Sequence, residues 1–153
     1  MLKFRIATID DVDLYFKWAN DPVVRSNSYH SEPIKYEDHV TWFSQKLNDP
    51  NFSFYVFFNE EGLAVGQVRI QKEETETVIG ISIDKDHRGK SLGLEMLEKA
   101  TDDFLSKNPN EVIYAYIKKE NISSIKIFSK AGFQNPEECD VSGIPSYRYI
   151  KTI

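Results

Sequence analysis

Residues 78–97, VIGISIDKDHRGKSLGLEML, decide how the rest of the chain is arranged. Alternation over 78–83 predicts a strand, and the apolar spacing from Leu94 onward predicts a helix that stops at Asn108. The turn between them holds two glycines and two basic residues, namely Arg88, Gly89, Lys90 and Gly93. The segment is therefore a strand–turn–helix unit, the building block of an α/β fold.

The start of this helix is a candidate anion site. The first backbone N–H groups of a helix have no partner within it, and the helix dipole favours negative charge there. Arg88 and Lys90 add positive charge, while Gly89 and Gly93 permit a ligand to approach closely. Such a turn suits a pyrophosphate, but an ordinary strand-to-helix turn with a solvated basic tip has the same composition. The spacing is neither that of a P-loop nor that of a dinucleotide-binding fingerprint.

A second pattern lies further along the chain. Residues 120–124, ENISS, begin a helical pattern that ends in residues 127–133, IFSKAGF. Together with the Arg88–Gly93 turn, these residues resemble the GNAT superfamily of acetyltransferases, and the element order agrees over nearly the whole chain. The resemblance implies transfer of an acetyl group from acetyl-CoA to an amine, which attacks the thioester directly without an acyl-enzyme.

The resemblance also implies a cofactor site. The Arg-x-x-Gly-x-Gly/Ala loop of the family, which binds the pyrophosphate of acetyl-CoA, matches Arg88–Gly93, with Ser91 where the family usually has its central glycine. The preceding strand is expected to pair with the pantetheine amides, and backbone N–H groups next to Ile83 are expected to stabilise the oxyanion. The cofactor-binding residues implied in this way are Ile81, Ser82, Ile83, Arg88, Gly89, Lys90, Ser91, Leu92, Gly93, Asn121, Ser124 and Lys130.

One departure from the family concerns catalysis. Many members carry a tyrosine just before the Lys130–Phe133 stretch, where it protonates the leaving thiolate. This chain has Phe128 at that position, and a phenylalanine cannot donate a proton. A CoA thiol with a cysteine-like pKa of about 8.5 is a fair leaving group near neutral pH. Another proton donor, water, or a non-catalytic acyl-CoA-binding module are the alternatives that this position leaves open.

The remaining patterns predict a mixed sheet. Three runs with short turns read as an antiparallel meander, in which Gly80 predicts a bulge or a close backbone approach. Residues 23–35 show no clear period. The predicted strands lie at 3–8, 52–58, 63–71, 77–83, 112–117 and 147–150, and the other helices at about 11–20, 36–48 and 122–131. We therefore expect an α/β, GNAT-like fold: a mainly antiparallel central sheet of six to seven strands covered by about four helices.

The N-terminal third is where the GNAT superfamily builds its acceptor site. Residues 18–25, WANDPVVR, resemble the RimJ/RimL-like branch. With residues 26–29 and 39–43, the stretch looks closest to N-acetyltransferases of nucleotide-linked amino sugars, of the pseudaminic-acid pathway type. A diphosphate would suit Arg25, and a base or sugar face would suit the rings of Tyr29 and Trp42, our predicted substrate-binding residues. A tryptophan at helical spacing is, however, more often part of the core.

The attacking amine has to be neutral, and a lysine-like amine has a pKa of about 10.4, so a base or desolvation must help. His39 has an intrinsic pKa of about 6.5 and lies one turn before Trp42. An exposed or capping role is the more common one for such a histidine. We name His39 and Asn121 as the candidate catalytic residues, with Glu120 as a further candidate base whose ordinary role is that of a surface carboxylate.

Length and composition limit the number of domains, the partners and the compartment that the chain can have. A length of 153 residues is the size of one domain, and we expect a single acetyltransferase domain over residues 1–153. The net charge of -5 argues against nucleic-acid binding, and no apolar run approaches membrane-spanning length. With Cys139 as the single cysteine and no metal-ligand spacing, we expect no disulfide, no metal and a cytoplasmic protein.

The sequence thus predicts an acetyl-CoA-dependent N-acetyltransferase of a small-molecule amine, preferably a nucleotide-sugar, in a fold compatible with a homodimer. Acetylation of a protein N-terminal amine, as in the RimJ/RimL-like branch, and acyl-CoA binding without catalysis stay open as alternatives. A cleft rich in Asp and Glu would favour a protein substrate. A cleft rich in Arg and aromatic residues would favour the nucleotide-sugar.

Overall fold

A computed structural model describes residues 1–153 and shows a central sheet flanked by helices. The strands are β1 (Lys3–Ile6), β2 (Phe52–Phe58), β3 (Ala64–Lys72), β4 (Thr77–Ile83), β5 (Ile113–Lys118), β6 (Gln134–Val141) and β7 (Ile144–Lys151). The helices are α1 (Val12–Ala19), α2 (Pro22–Asn27), α3 (Tyr36–Leu47), α4 (Leu92–Lys107) and α5 (Ile122–Lys130). The sheet order is β1-β2-β3-β4-β5-β7-β6, with β4 and β5 as its parallel pair. The predicted fold class is confirmed.

The two faces of the sheet bury different clusters, because successive strand residues point to opposite sides. The α4–α5 face holds a cluster of 19 buried residues, which includes Val68 and Ile70 of β3. The α1–α3 face holds a smaller cluster of 6, in which Tyr15 and Phe43 pack on Phe54 of β2. On this second face, polar side chains of β3 and β4 line a cavity.

The structure differs from the prediction after residue 20. Residues 22–27 form α2, because the Asp21 carboxylate accepts hydrogen bonds from the backbone N–H groups of Val23 and Val24 at 2.9 and 3.2 Å. Pro22 suits the first helical position, where its missing N–H is not needed. The Asp21-Pro22 pair therefore ends α1 and also starts a new helix, and α2 is the one helix that the sequence patterns missed.

The C-terminal end is a hairpin of β6 and β7 rather than one strand-like segment. β6 is exposed along most of its length and lies at the sheet edge, so it lacks the apolar alternation that marks a strand in sequence. Its turn has positive φ at both Ser142 and Gly143, as in the tight turns that join antiparallel strands. No helix has the length and apolarity needed to cross a bilayer.

Candidate active site

The site begins where the sheet opens between β4 and β5. These parallel neighbours pair at Thr77↔Ile113 and Val78↔Tyr114, whereas the pairing of β3 with β4 continues to Ile83. Beyond Val78, the β4 backbone is therefore unpaired on its β5 side, and its N–H and C=O groups there can serve a ligand. A cavity of about 1290 Å³ runs through this opening, with elements from both faces of the sheet in its walls.

On the α4 side, the turn after β4 is shaped by its backbone. Gly89 and Ser91 adopt left-handed φ values of 77° and 59°. Ser91 immediately precedes α4 and makes no side-chain cap, so the first N–H groups of α4 are left for a ligand. A Cβ at position 93 would lie 3.2 Å from the Cδ1 atoms of both Ile83 and Ile127, so Gly93 permits close packing of α4 on β4 and α5.

Arg88 connects this turn to the N-terminal helices. Its Nη2 donates to the Asp21 Oδ1 at 2.7 Å, and the same carboxylate caps α2. Burial alone would raise the pKa of Asp21, but the hydrogen bonds from Arg88 and from two backbone N–H groups lower it. Arg88 therefore lies between the candidate pyrophosphate site and the helix that carries Arg25.

The start of α5 forms the other wall of the α4 side of the cavity, which is called the cofactor half below. The Asn121 Oδ1 accepts a hydrogen bond from the Ser124 backbone N–H at 3.3 Å, so Asn121 is the N-cap of the helix. Phe128, one turn further on, is buried and packs edge-on against Phe133, with ring centroids 5.1 Å apart. Its ring lines the cavity without offering any proton donor.

Across the sheet, the floor of the cavity is a polar strip on β3 and β4. Gln67 lies opposite Ser82 in the register, and Arg69 lies opposite Gly80. The Gln67 Nε2 donates to the Ser82 Oγ at 3.0 Å, and the Gln67 Oε1 is buried without a partner. The predicted bulge at Gly80 is wrong, because β3 and β4 stay in register there. The group close to Gly80 is a side chain and not backbone: a Cβ added at Gly80 would lie 3.7 Å from the Arg69 Nη2.

Arg69 brings a charge into the cavity without a direct ion-pair partner. Its guanidinium lies 5.4 Å from the centroid of the Trp42 ring, and its Nε is buried without a hydrogen-bond partner. It takes part in none of the ion pairs of the chain. Burial lowers the pKa of Arg69, as expected for a cation removed from water.

The segment after α1 forms the opposite wall. Arg25 donates to the backbone carbonyl of His30 at 2.8 Å, and its Nε is also buried without a partner. Like Arg69, it is absent from the ion pairs. The Tyr29 hydroxyl donates to the Ser146 Oγ at 2.7 Å, which ties this wall to β7. Two guanidinium groups without carboxylate partners thus line one cavity.

α3 contributes His39 and Trp42. His39 is only 4% exposed, its Nε2 lies 2.9 Å from the Val12 carbonyl oxygen, and its ring stacks on Phe43. The expectation of an exposed or capping histidine is therefore wrong. Burial lowers the pKa of His39, which keeps the ring neutral near pH 7. With its proton on Nε2, His39 would donate to Val12 and keep Nδ1 as an acceptor.

The sequence matches a family model described as an acetyltransferase (GNAT) domain over residues 2–134. The chain belongs to the GNAT acetyltransferase family. The uncharacterized protein MJ1062 of Methanocaldococcus jannaschii is 27% identical to this GNAT domain over 137 residues. That alignment covers 88% of this chain and 28% of the relative, so the chain spans little more than a quarter of the relative's length.

Solved structures share the fold of this GNAT domain. A domain from Methanocaldococcus jannaschii has a TM-score of 0.82 at 24% identity and covers 100% of this chain and 99% of its own. Spermidine N-acetyltransferase from Vibrio cholerae, in complex with CoA and spermine, has a TM-score of 0.86 at 16% identity, over 98% and 94% of the two chains. AAC(6')-Ib in complex with paromomycin and acetyl-CoA has a TM-score of 0.81 at 18% identity, over 99% and 93%.

The cavity of the GNAT domain brings together nearly all the residues that the sequence singled out. Those in its lining are Arg25, Tyr29, His39, Trp42, Ile81, Ser82, Ile83, Arg88, Gly89, Ser91, Leu92, Gly93, Asn121, Ser124, Phe128 and Lys130. Lys90 and Glu120 are exposed and lie outside the lining. Trp18 is a core residue, 2% exposed, whose Nε1 donates to the buried Asp84 carboxylate at 2.8 Å.

Sequence reasoning missed Gln67 and Arg69 as site residues. The signal was the alternation Gln67-Val68-Arg69-Ile70-Gln71 inside a predicted central strand. On the neighbouring strand, Phe54 lies opposite Arg69, so polar residues interrupt a face that is otherwise aromatic. Buried polar atoms normally have hydrogen-bond partners, but the Gln67 Oε1 and the Arg69 Nε have none within the chain.

Proposed function

We propose that residues 1–153 act as a single acetyltransferase domain that transfers acetyl from acetyl-CoA to a primary amine of an anionic small molecule, specifically a nucleotide-activated amino sugar. The observation that carries this proposal is the charge of the acceptor half, the part of the cavity lined by β3, α2, α3 and the segment after α2. Arg25 and Arg69 line it without ion-pair partners, and the Trp42 ring lies beside Arg69. A diphosphate supplies the missing counter-charge, and an aromatic ring can stack on a base or sugar.

Acetyl-CoA occupies the α4–α5 half in this proposal. The free N–H groups at the start of α4 and the Arg88 guanidinium receive the pyrophosphate. The unpaired side of β4 at residues 81–83 takes the pantetheine amides as an added strand, and Asn121 and Ser124 face the cofactor. Support comes from the fold shared with two solved structures whose ligands include CoA or acetyl-CoA.

The chemistry is direct transfer. The neutral amine nitrogen attacks the thioester carbon, and the C–S bond breaks as the C–N bond forms. Backbone N–H groups beside Ile83 stabilise the oxyanion. Phe128 provides no acid, so the departing thiolate takes its proton from water, which a thiol pKa of about 8.5 makes tolerable near neutral pH.

The charge of the acceptor half also separates this proposal from other amines. Spermine, the ligand named for the Vibrio cholerae structure, is a polycation that two arginines without ion-pair partners repel. A basic protein N-terminus, the substrate of the RimJ/RimL-type alternative, meets the same repulsion. Asp38 and Glu73 are the carboxylates in the lining, and neither forms an ion pair with the two arginines.

The test is thiol release from acetyl-CoA against three amines: a UDP-linked 4-amino-4,6-dideoxy sugar, a basic peptide with a free N-terminus, and spermidine. Calorimetric titration of CoA runs in parallel. We expect CoA binding and turnover with the nucleotide-sugar alone. Turnover with the peptide or with spermidine would contradict the anionic acceptor. CoA binding without turnover on any amine would make the chain an acyl-CoA-binding module.

A further inference from the structure

Gln67 and Ser82 form a buried polar pair in the acceptor half that is only partly satisfied. Gln67 is 9% exposed and Ser82 is 8% exposed. Their one mutual hydrogen bond, from the Gln67 Nε2 to the Ser82 Oγ at 3.0 Å, leaves the Gln67 Oε1 without any donor. Buried polar atoms in folded proteins nearly always have a partner, so an orphaned acceptor on a cavity wall marks a place where a ligand donor fits.

The position of this pair matches the position of the reaction. Ser82 immediately precedes Ile83, at the end of β4 where the thioester is proposed to lie, and Gln67 is its cross-strand partner. Both residues line the cavity. The Gln67 side chain thus lies on the strand beside the proposed thioester site, on the same face of the sheet as Arg69, and its Oε1 is an uncharged acceptor.

We propose that Gln67 receives the acceptor amine, with its Oε1 accepting one N–H of the neutral amine while Ser82 holds the amide in place. This role rests on the proposed function. Accepting one N–H directs the nitrogen lone pair toward the thioester carbon. The positive charge of Arg69 on the same face of the sheet disfavours an ammonium ion, and the uncharged amide of Gln67 adds no negative charge that would stabilise one.

The atoms balance in this step. The nitrogen–carbon bond forms, the carbon–sulfur bond breaks, and the products are an amide and a free thiol. The nitrogen loses one proton and the departing thiolate gains one, with water as the carrier. Gln67 holds the N–H that stays on the nitrogen, so it needs no change of protonation state during transfer.

The variants Q67L and Q67E test this role with acetyl-CoA and the UDP-linked amino sugar. For Q67L we expect kcat to fall about tenfold, the loss that one uncharged hydrogen bond gives. We expect its Kd for acetyl-CoA to stay unchanged. Q67E keeps an acceptor oxygen and the shape of glutamine, but its carboxylate stabilises the ammonium form. Its kcat should therefore rise at higher pH than the wild type. Gln134→Leu, the same change at an exposed position of β6, is the matched control.

Three outcomes would contradict the role. They are wild-type kcat in Q67L, a wild-type pH profile in Q67E, and a loss of kcat in Q67L that accompanies an equal loss of acetyl-CoA affinity and thermal stability. If the wild type acetylates the amino sugar and a variant gives any of these results, the role of Gln67 is overturned and the proposed function stands. Wild-type protein that binds acetyl-CoA but acetylates no amine overturns the proposed function, and the role falls with it.

Discussion

The two halves of the cavity are built by different means. The cofactor half is made largely of backbone: the free start of α4, the left-handed turn at Gly89 and Ser91, and the unpaired side of β4. The acceptor half is made of side chains from β3, α2 and α3, such as Arg69 over Trp42. A backbone site belongs to the fold, whereas a side-chain site can change without altering the fold. We therefore expect substitutions to separate cofactor affinity from acceptor specificity.

The largest separation is expected for Arg69→Met. Removing a buried charged partner costs about 2–5 kcal/mol of binding, so kcat/KM for the UDP-linked amino sugar should fall about 30-fold or more. The Kd for acetyl-CoA should not change. Thermal stability should stay equal or rise, because the variant removes a buried charge that has no ion-pair partner and whose Nε has no hydrogen-bond partner. Steady-state kinetics, calorimetry and thermal unfolding of one preparation measure all three.

Lys46→Met is the matched control for that variant. Lys46 also lies over an aromatic ring, that of Phe52 at 4.9 Å, on the same face of the sheet but outside the cavity lining. It should leave kcat/KM unchanged. A fall in acetyl-CoA affinity for Arg69→Met that matches its fall in kcat/KM would show that the two halves are not separable.

Arg88→Ala is the reciprocal experiment on the cofactor half. Loss of a charged hydrogen bond should weaken CoA binding by about 1.5–3 kcal/mol, which is roughly 10- to 150-fold in the Kd measured by calorimetry. Lys85→Ala removes an exposed charge from the same turn and should leave the Kd unchanged. Equal Kd values for the Arg88 and Lys85 variants would refute the placement of the pyrophosphate.

The contrast between the halves also explains what the sequence could predict. The turn from Arg88 to Gly93 is contiguous in sequence, so its glycines and basic residues are enough to indicate a tight turn that can bind an anion. The contact of Arg69 with Trp42 joins α3 to β3, and the pairing of Gln67 with Ser82 depends on strand register. Neither contact follows from local spacing. The sequence missed α2 and gave no bounds for the seventh strand for a related reason, since a cap and an exposed sheet edge leave no apolar period.

A smaller effect is expected for the pH dependence of stability through His39. Burial lowers the pKa of His39 in the folded state. Below a pH of about 6.5, His39 is therefore protonated in the unfolded chain while it is still neutral in the folded chain. The stability from the neutral ring is complete above that pH and is lost as pH falls toward the folded pKa. Urea unfolding at pH 7 and pH 5.5 should show a larger loss for the wild type than for His39→Gln.

The variant His39→Gln also tests whether His39 acts as a base or only shapes the wall of the acceptor half. The Nε2 contact with the Val12 carbonyl is one that a glutamine side-chain N–H can replace. If His39 only shapes the wall, His39→Gln keeps the pH profile of kcat. A lost rise of kcat near the histidine pKa would instead assign it proton transfer. An equal stability loss in both proteins would contradict the burial of a neutral ring.

The smallest effect, and the sharpest test of a backbone-built cofactor half, is expected for Ser91→Gly. Ser91 has a φ of 59°, a left-handed conformation that costs an L-residue about 1–2 kcal/mol and that glycine adopts freely. Because glycine loses more entropy on folding, the net gain in unfolding free energy should be about 0.5–1 kcal/mol. Asn135→Gly, at a φ of 57°, should gain less, since asparagine tolerates this region better than serine.

If the N–H groups of the turn alone bind the pyrophosphate, Ser91→Gly keeps the Kd for CoA. A weaker Kd would mean that the Ser91 hydroxyl donates to the phosphate, and the cofactor half would then depend on a side chain as the acceptor half does.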